Sequence, residues 1–341
     1  MKWLHPGPVW AVVEQTLMKV VLLLLMTALM AAAYDPLALP TGPLPAPLDL
    51  SCRDEARSRE IPLRVYLPAV AKPAAVVLFS HGLGGSREGS AFLGRHWAAR
   101  GYVAVFLQHP GSDESIWKDL PPARRALAMQ AAASPANFLS RVQDVPAVLD
   151  QLEVWQRLAE HPLAGRLDLR RVGMSGHSFG AVTTQAVCGQ VVPMGGARFS
   201  DPRLKAAVIF SPSTPARADP AAAFGRVRLP WLLMTGTNDV ARIGGATIGA
   251  ADVASRLSVY PALPPGGKYE LVLHEASHFA FTDRPDFGGE TPRHPNHHRV
   301  ILAISTAFWD AWLKDDAAAR AWLEGEPPRA LMAAEDRWQH K

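Results

Sequence analysis

The sequence predicts an α/β fold, with a mostly parallel central sheet and helices on both faces. Three observations predict it. Short, continuous apolar runs recur along the chain, as strands buried on both faces require. Helical patterns separate them, and strands that alternate with helices imply crossovers lying on the sheet faces. One apolar run, Arg171-Val172-Gly173-Met174-Ser175, passes straight into a helical pattern through Gly176-His177-Ser178-Phe179-Gly180. The 341 residues are enough for one large α/β domain. At 48% hydrophobic and 19% charged, the chain can bury a sizeable core, and wholesale disorder is excluded.

Residues 20–30 are apolar apart from Thr27, follow Lys19 and precede Ala31-Ala32-Ala33. A charged start, a short apolar segment and small residues read as a secretory signal peptide over residues 1–33, with Met18 an alternative start. A membrane anchor over residues 9–33 is the alternative, which Glu14, Gln15 and Lys19 interrupt. Removal of the segment implies a periplasmic or secreted protein with no stable membrane span. Five prolines between Pro36 and Pro47 make residues 34–50 a linker. A single α/β domain is expected over 51–330 and a tail over 331–341.

Within the domain, residues 61–67 read as an early strand and 74–80 as a continuous apolar one. Residues 91–100 read as a helix stopped by Gly101, and 103–107 as the next strand. Phe138, Val142, Val145, Val148, Leu149, Leu152 and Trp155 form an apolar stripe, so 136–159 is helical. Further strands are expected at 172–175, 206–210, 231–234 and 270–274, and terminal helices at 298–313 and 317–323. The stretch 111–135, with Trp117, Pro121 and Pro122, follows a strand end and reads as a cap or the wall of a binding site, or as surface packing. The net charge of +4 comes without a Lys/Arg run, which argues against nucleic-acid binding. Cys52 and Cys188 are the two cysteines, and the sequence leaves their pairing open.

A strand that turns sharply into a helix between two glycines forces the central serine into an exposed, strained conformation. Ser178 is therefore the expected nucleophile. Its hydroxyl needs a base, and His278, in Glu275-Ala276-Ser277-His278-Phe279, lies just past an apolar strand. Asp239, in the turn after 231–234, is the expected acid. All three fall at carboxyl ends of strands, where sheets of this kind bind ligands. The glycine-rich turn Ser80-His81-Gly82-Leu83-Gly84-Gly85 can present the Leu83 N–H, and the Phe179 N–H completes an expected oxyanion hole. His274 falls inside a strand pattern, Asp144 inside a helix and Asp201 before its strand, so all three rank below as base or acids. His177 reads as a packing residue of the elbow. His294, His297 and His298 lack carboxylate or cysteine neighbours and read as loop-anchoring rather than metal-binding.

The segments Phe79-Ser80-His81-Gly82-Leu83-Gly84, Gly176-His177-Ser178-Phe179-Gly180 and Ala276-Ser277-His278-Phe279 together resemble the bacterial dienelactone-hydrolase-like and platelet-activating-factor-acetylhydrolase-like branch of the α/β-hydrolases, over roughly residues 50–325. The Asn238-Asp239 turn and the Ala-Ser-His-Phe segment are also similar to those of cutinase-type polyester hydrolases. The resemblance implies an α/β-hydrolase fold and ester hydrolysis. Two departures stand out. Ser178 occupies the place where dienelactone hydrolases carry cysteine. Ser211-Pro212-Ser213, where the acetylhydrolase branch can place its acid, holds no carboxylate, which leaves Asp239 in that role.

The expected activity is cleavage of short- to medium-chain carboxylic esters through an acyl-enzyme, with no cofactor or metal and a small-molecule or lipid-like ester as partner. Acyl transfer or amide hydrolysis on the same residues, and a non-catalytic binding protein on such a scaffold, are the alternatives.

Overall fold

A computed structural model describes residues 34–40, 42–192, 199–215, 218–243, 246–247, 252–283 and 294–341. The signal-peptide reading of residues 1–33 lies outside them. The unit described below is residues 36–341.

In chain order it comprises β1 (Leu48–Asp54), β2 (Arg59–Tyr66), β3 (Ala74–Ser80), α1 (Ala91–Ala99), β4 (Val103–Leu107), α2 (Pro122–Ala132), α3 (Pro135–Arg157), β5 (Leu167–His177), α4 (Phe179–Val187), β6 (Leu204–Phe210), α5 (Pro220–Phe224), β7 (Trp231–Asn238), α6 (Val253–Leu257), α7 (Val259–Ala262), β8 (Lys268–Ser277), α8 (Pro295–Leu313), α9 (Ala317–Glu324) and β9 (Arg337–His340). A small ribbon also pairs Arg242–Ile243 with Ala246–Thr247.

The nine strands form one sheet in the order β1-β2-β4-β3-β5-β6-β7-β8-β9. From β4 to β8 every neighbouring pair is parallel. β1 and β2 extend one side antiparallel, and β9 closes the other. β3 and β4 are buried along their whole length, which is why they read as unbroken apolar runs.

Successive residues of a strand face opposite sides of the sheet, and β5 shows what covers each. Gly173 lies against Trp309 of α8, and a Cβ there would meet the indole at 2.6 Å. Its neighbour Met174 joins the core with Val145 and Leu149 of α3 and Ala181 of α4. On the α8 side, the Trp97 and Trp309 rings meet edge to face at 6.0 Å. The sheet is thus covered by α1 and α8 on one face and by α3 and α4 on the other.

Several boundaries differ from the sequence reading. β1 begins at Leu48, inside the stretch read as linker, because Leu48 and Leu50 pack on the core while their neighbours stay exposed. Residues 337–340, read as tail, are an edge strand whose Trp338 stacks on Tyr269 at 5.8 Å. α2 escaped notice because its one buried residue is Ala132, so it carries no apolar stripe. Both cysteines are buried free thiols. Cys52 is in β1, with Sγ directed at the Ala147 carbonyl, and Cys188 ends α4. Among the described residues no helix is long and apolar enough to cross a membrane.

Candidate active site

The order of strands reverses beside β3: the chain leaves β3 toward β4 and leaves β5 toward β6 in the other direction. Sheets of this type open a crevice at the carboxyl ends of the strands at such a point. The loop after β3 and the turn after β5 both lie there.

Ser178 sits in that turn with φ 57° and ψ −114°, a strained combination for a residue with a side chain. Its N–H bonds to the Phe210 carbonyl at 3.0 Å, and its carbonyl accepts from Val182 at 3.1 Å as α4 begins. The flanking glycines are sites of close approach. A Cβ at Gly176 would strike the Gly180 carbonyl, and one at Gly180 would strike the Ser80 carbonyl at the end of β3. The spacing G-x-S-x-G therefore follows from how tightly β5, α4 and β3 converge.

His278 comes from the end of β8. β8 bulges against β7 between Leu273 and Ser277, with Glu275 at φ 54°, and bulges of this kind re-aim the residues that follow. His278 Nε2 lies 2.8 Å from Ser178 Oγ, and His278 Nδ1 lies 2.7 Å from Asp239 Oδ1. The carboxylate can only accept, so Nδ1 carries the proton and Nε2 accepts from the serine hydroxyl. The structure thus brings Ser178, His278 and Asp239 together from the ends of three strands.

Asp239 is fully buried. It also accepts from Ser211 Oγ at 2.7 Å and Thr235 Oγ1 at 2.9 Å, and pairs with Arg256 Nε at 3.0 Å. Burial pushes its carboxyl up, but the charge of Arg256 and the hydrogen bonds from His278 and Ser211 outweigh this and hold it well below the usual range. Arg256, from α6, is a site residue that sequence reasoning missed. It donates to the carbonyls of Asp239, Ser211 and Pro212. Only the approach of its helix to the β7 turn reveals it. His177 is buried, and its Nε2–H donates to the His278 carbonyl at 2.9 Å. Burial, then the neighbouring His278, push it well below the ordinary imidazole value, so it anchors the His278 backbone as a neutral ring.

Leu83 and Ser178 line a common cavity of about 90 Å³, with Met129, Ile243, His278 and Phe279. The Leu83 N–H donates to no acceptor among the described residues. Phe179 is the first residue of α4, where an N–H has no partner within the helix. Met129 comes from α2, and Trp117 Nε1 donates to the Gly84 carbonyl at 2.8 Å. The 111–135 stretch thus packs onto the glycine-rich loop and walls the cavity.

The residues ranked lower lie elsewhere. Exposed His274 has its ring 3.8 Å from the Glu275 carboxylate. Asp201 pairs with Arg203. His294 caps α8, His297 Nε2–H donates to the His274 carbonyl and His298 stacks on Phe92. Asp144 heads a second chain of the same composition. His109 Nδ1 lies 2.8 Å from Asp144 Oδ2, and His109 Nε2 lies 2.9 Å from Ser80 Oγ. All three are fully buried, so no substrate reaches this serine. Burial, then the charge of Arg141, push His109 down to about 4.

No protein-family model matches this chain, and no curated protein is significantly similar to it.

Proposed function

We propose that this chain is an exported serine ester hydrolase of the α/β-hydrolase superfamily, akin to the dienelactone-hydrolase-like and acetylhydrolase-like branch, acting on short-chain esters. The observation that carries the reading is the line from Ser178 Oγ through His278 to Asp239, at 2.8 and 2.7 Å, on a strained strand–serine–helix turn. The chain order Ser, Asp, His is the order of that superfamily. In this reading His278 Nε2 takes the Ser178 proton as Oγ bonds to the ester carbonyl carbon. The carbonyl oxygen gains the negative charge, which the Leu83 and Phe179 amides receive. The tetrahedral intermediate collapses, the C–O bond to the alcohol breaks, and the imidazolium returns its proton to the departing alkoxide. Water then repeats the sequence on the acyl-enzyme and releases the acid. Asp239 stabilises the imidazolium, and Arg256 keeps Asp239 ionised. The cavity of about 90 Å³ and its apolar wall favour an acyl group of a few carbons, since sites for larger ligands measure several hundred Å³.

The test is hydrolysis of p-nitrophenyl acetate and butyrate by the mature chain. Ser178→Ala is expected to abolish turnover and labelling by a fluorophosphonate probe. Full activity in that variant would overturn the assignment.

A further inference from the structure

We propose that Arg141 is a positioning residue for the developing oxyanion: with His81 it draws the Gly82 carbonyl into the protein, so that the Leu83 N–H of the same peptide faces Ser178. The inference rests on the hydrolase reading above.

Arg141, on α3, is fully buried and forms no ion pair among the described residues. A buried cation without a carboxylate partner is unfavourable unless its donors are satisfied. Here they point at neutral groups, the oxygens and the His81 ring, most of them beneath the glycine-rich loop. Nε donates to Ser112 Oγ at 2.8 Å and Nη1 to the His81 carbonyl at 2.7 Å, with Ser80 Oγ at 3.4 Å. Nη2 lies 3.2 Å from His81 Nδ1 and reaches the Ser112 carbonyl at 3.4 Å and, at the limit of hydrogen-bond distance, the Gly82 carbonyl at 3.5 Å. Burial pushes the guanidinium down to about 9, which leaves it charged at neutral pH.

His81 adds the closer bond. Its Nε2 accepts from the His109 backbone N–H at 3.0 Å, so the neutral ring carries its proton on Nδ1. That proton goes to the Gly82 carbonyl, 2.6 Å away. The Gly85 N–H reaches the same oxygen at 3.0 Å. His81 and the Gly85 N–H therefore fix this carbonyl, and Arg141 stands behind it, in contact with the His81 ring and carbonyl. In a trans peptide the C=O and the following N–H point in opposite directions within one plane, so the orientation of Gly82 dictates that of the Leu83 N–H. Gly82 also lies directly against the elbow, where a Cβ would come within 3.3 Å of Ser178 Cβ. The Arg141 guanidinium covers the Phe179 ring at 4.5 Å, so one cation braces both residues whose amides face the oxyanion. A positive charge behind the carbonyl end of the peptide also strengthens the donor at its other end.

The experiment compares wild type, Arg141→Met and Arg141→Lys on p-nitrophenyl butyrate, with active sites counted by fluorophosphonate labelling. A trifluoromethyl ketone, which becomes an oxyanionic adduct on Ser178, serves as the transition-state probe. In Arg141→Met the per-site kcat is expected to fall at least about tenfold with KM within about twofold, since loss of an oxyanion donor outright costs about 10²–10³. The inhibition constant of the ketone rises by the same factor as kcat/KM falls. Arg141→Lys, which keeps the charge and loses the fork, falls less, in the same proportion. A purely structural role would lower the melting temperature and the number of labelled sites but leave per-site kcat and ketone affinity unchanged, and that result overturns the proposal. If Arg141→Met fails to accumulate, Arg141→Lys carries the comparison, and unchanged values there overturn it equally. A wild type that neither turns over ester nor takes label fails before any variant is compared, which marks failure of the hydrolase reading and removes this proposal with it.

Discussion

Two serine–histidine–aspartate chains lie in this molecule, and their surroundings separate them. Ser80, His109 and Asp144 are sealed from solvent, whereas Ser178 is partly exposed on a strained turn that opens into a cavity. Residue type cannot distinguish Asp239 from Asp144, but position at a strand end can, and that much was legible. The support for Asp239 was not legible, because Arg256, Ser211 and Thr235 reach it from separate elements. Asp239→Asn keeps the shape but can offer His278 an N–H, which favours the wrong tautomer. Per-site kcat is expected to fall by about 10³–10⁴, with circular dichroism unchanged. A fall of less than about tenfold in kcat would remove Asp239 from the mechanism.

At the scale of elements, the site depends on how closely strands approach. β3, β5 and α4 meet where Gly180 faces the Ser80 carbonyl, and β7 meets the β8 bulge at Gly236, where a Cβ would run into Ala276. The glycines around Ser178 were readable from the sequence. The bulge that delivers His278 was not, since register shifts arise between strands rather than within one. Gly180→Ala places a methyl group against backbone, which cannot rotate aside. The variant is expected to lose about 3 kcal/mol, read by urea unfolding, and to lose per-site kcat as the elbow shifts. Wild-type values for both would show that the turn has room to spare.

Across the whole molecule, the buried titratable groups set how stability responds to acid. Burial pushes His96 and His109 down to about 4 and His177 well below its ordinary value. Between about pH 6.5 and 4 the unfolded chain binds protons at these rings and the folded protein does not. Stability therefore falls as pH falls, by about 1.4 kcal/mol per pH unit for each ring. His297, also lowered by burial, adds to this, and Glu270, raised by burial, opposes it as a single group. Asp144 is pushed up by burial but held at about 2 by His109 and Arg59. Asp310 is also lowered: burial raises it, and Lys314, Tyr102 and Arg100 more than offset this. Stability from these carboxylates is present above about pH 4 and is lost as pH falls toward their folded values. Urea midpoints measured at pH 7.5, 6, 5 and 4 are expected to decline from the first step below 6.5, and a flat profile down to pH 4.5 would contradict the burial of these imidazoles.

The sequence by itself determined the alternation of strands and helices, the parallel core, and which loops end at the carboxyl edge of the sheet. These follow from local periodicity and from glycines that leave room for a turn. Only the tertiary structure decided which histidine meets which carboxylate, that Cys52 and Cys188 stay apart, that the last residues close the sheet, and that two buried arginines stand behind the site. Those outcomes depend on desolvation and on distances between residues far apart in the chain, 100 positions for Ser178 and His278, which no local pattern records.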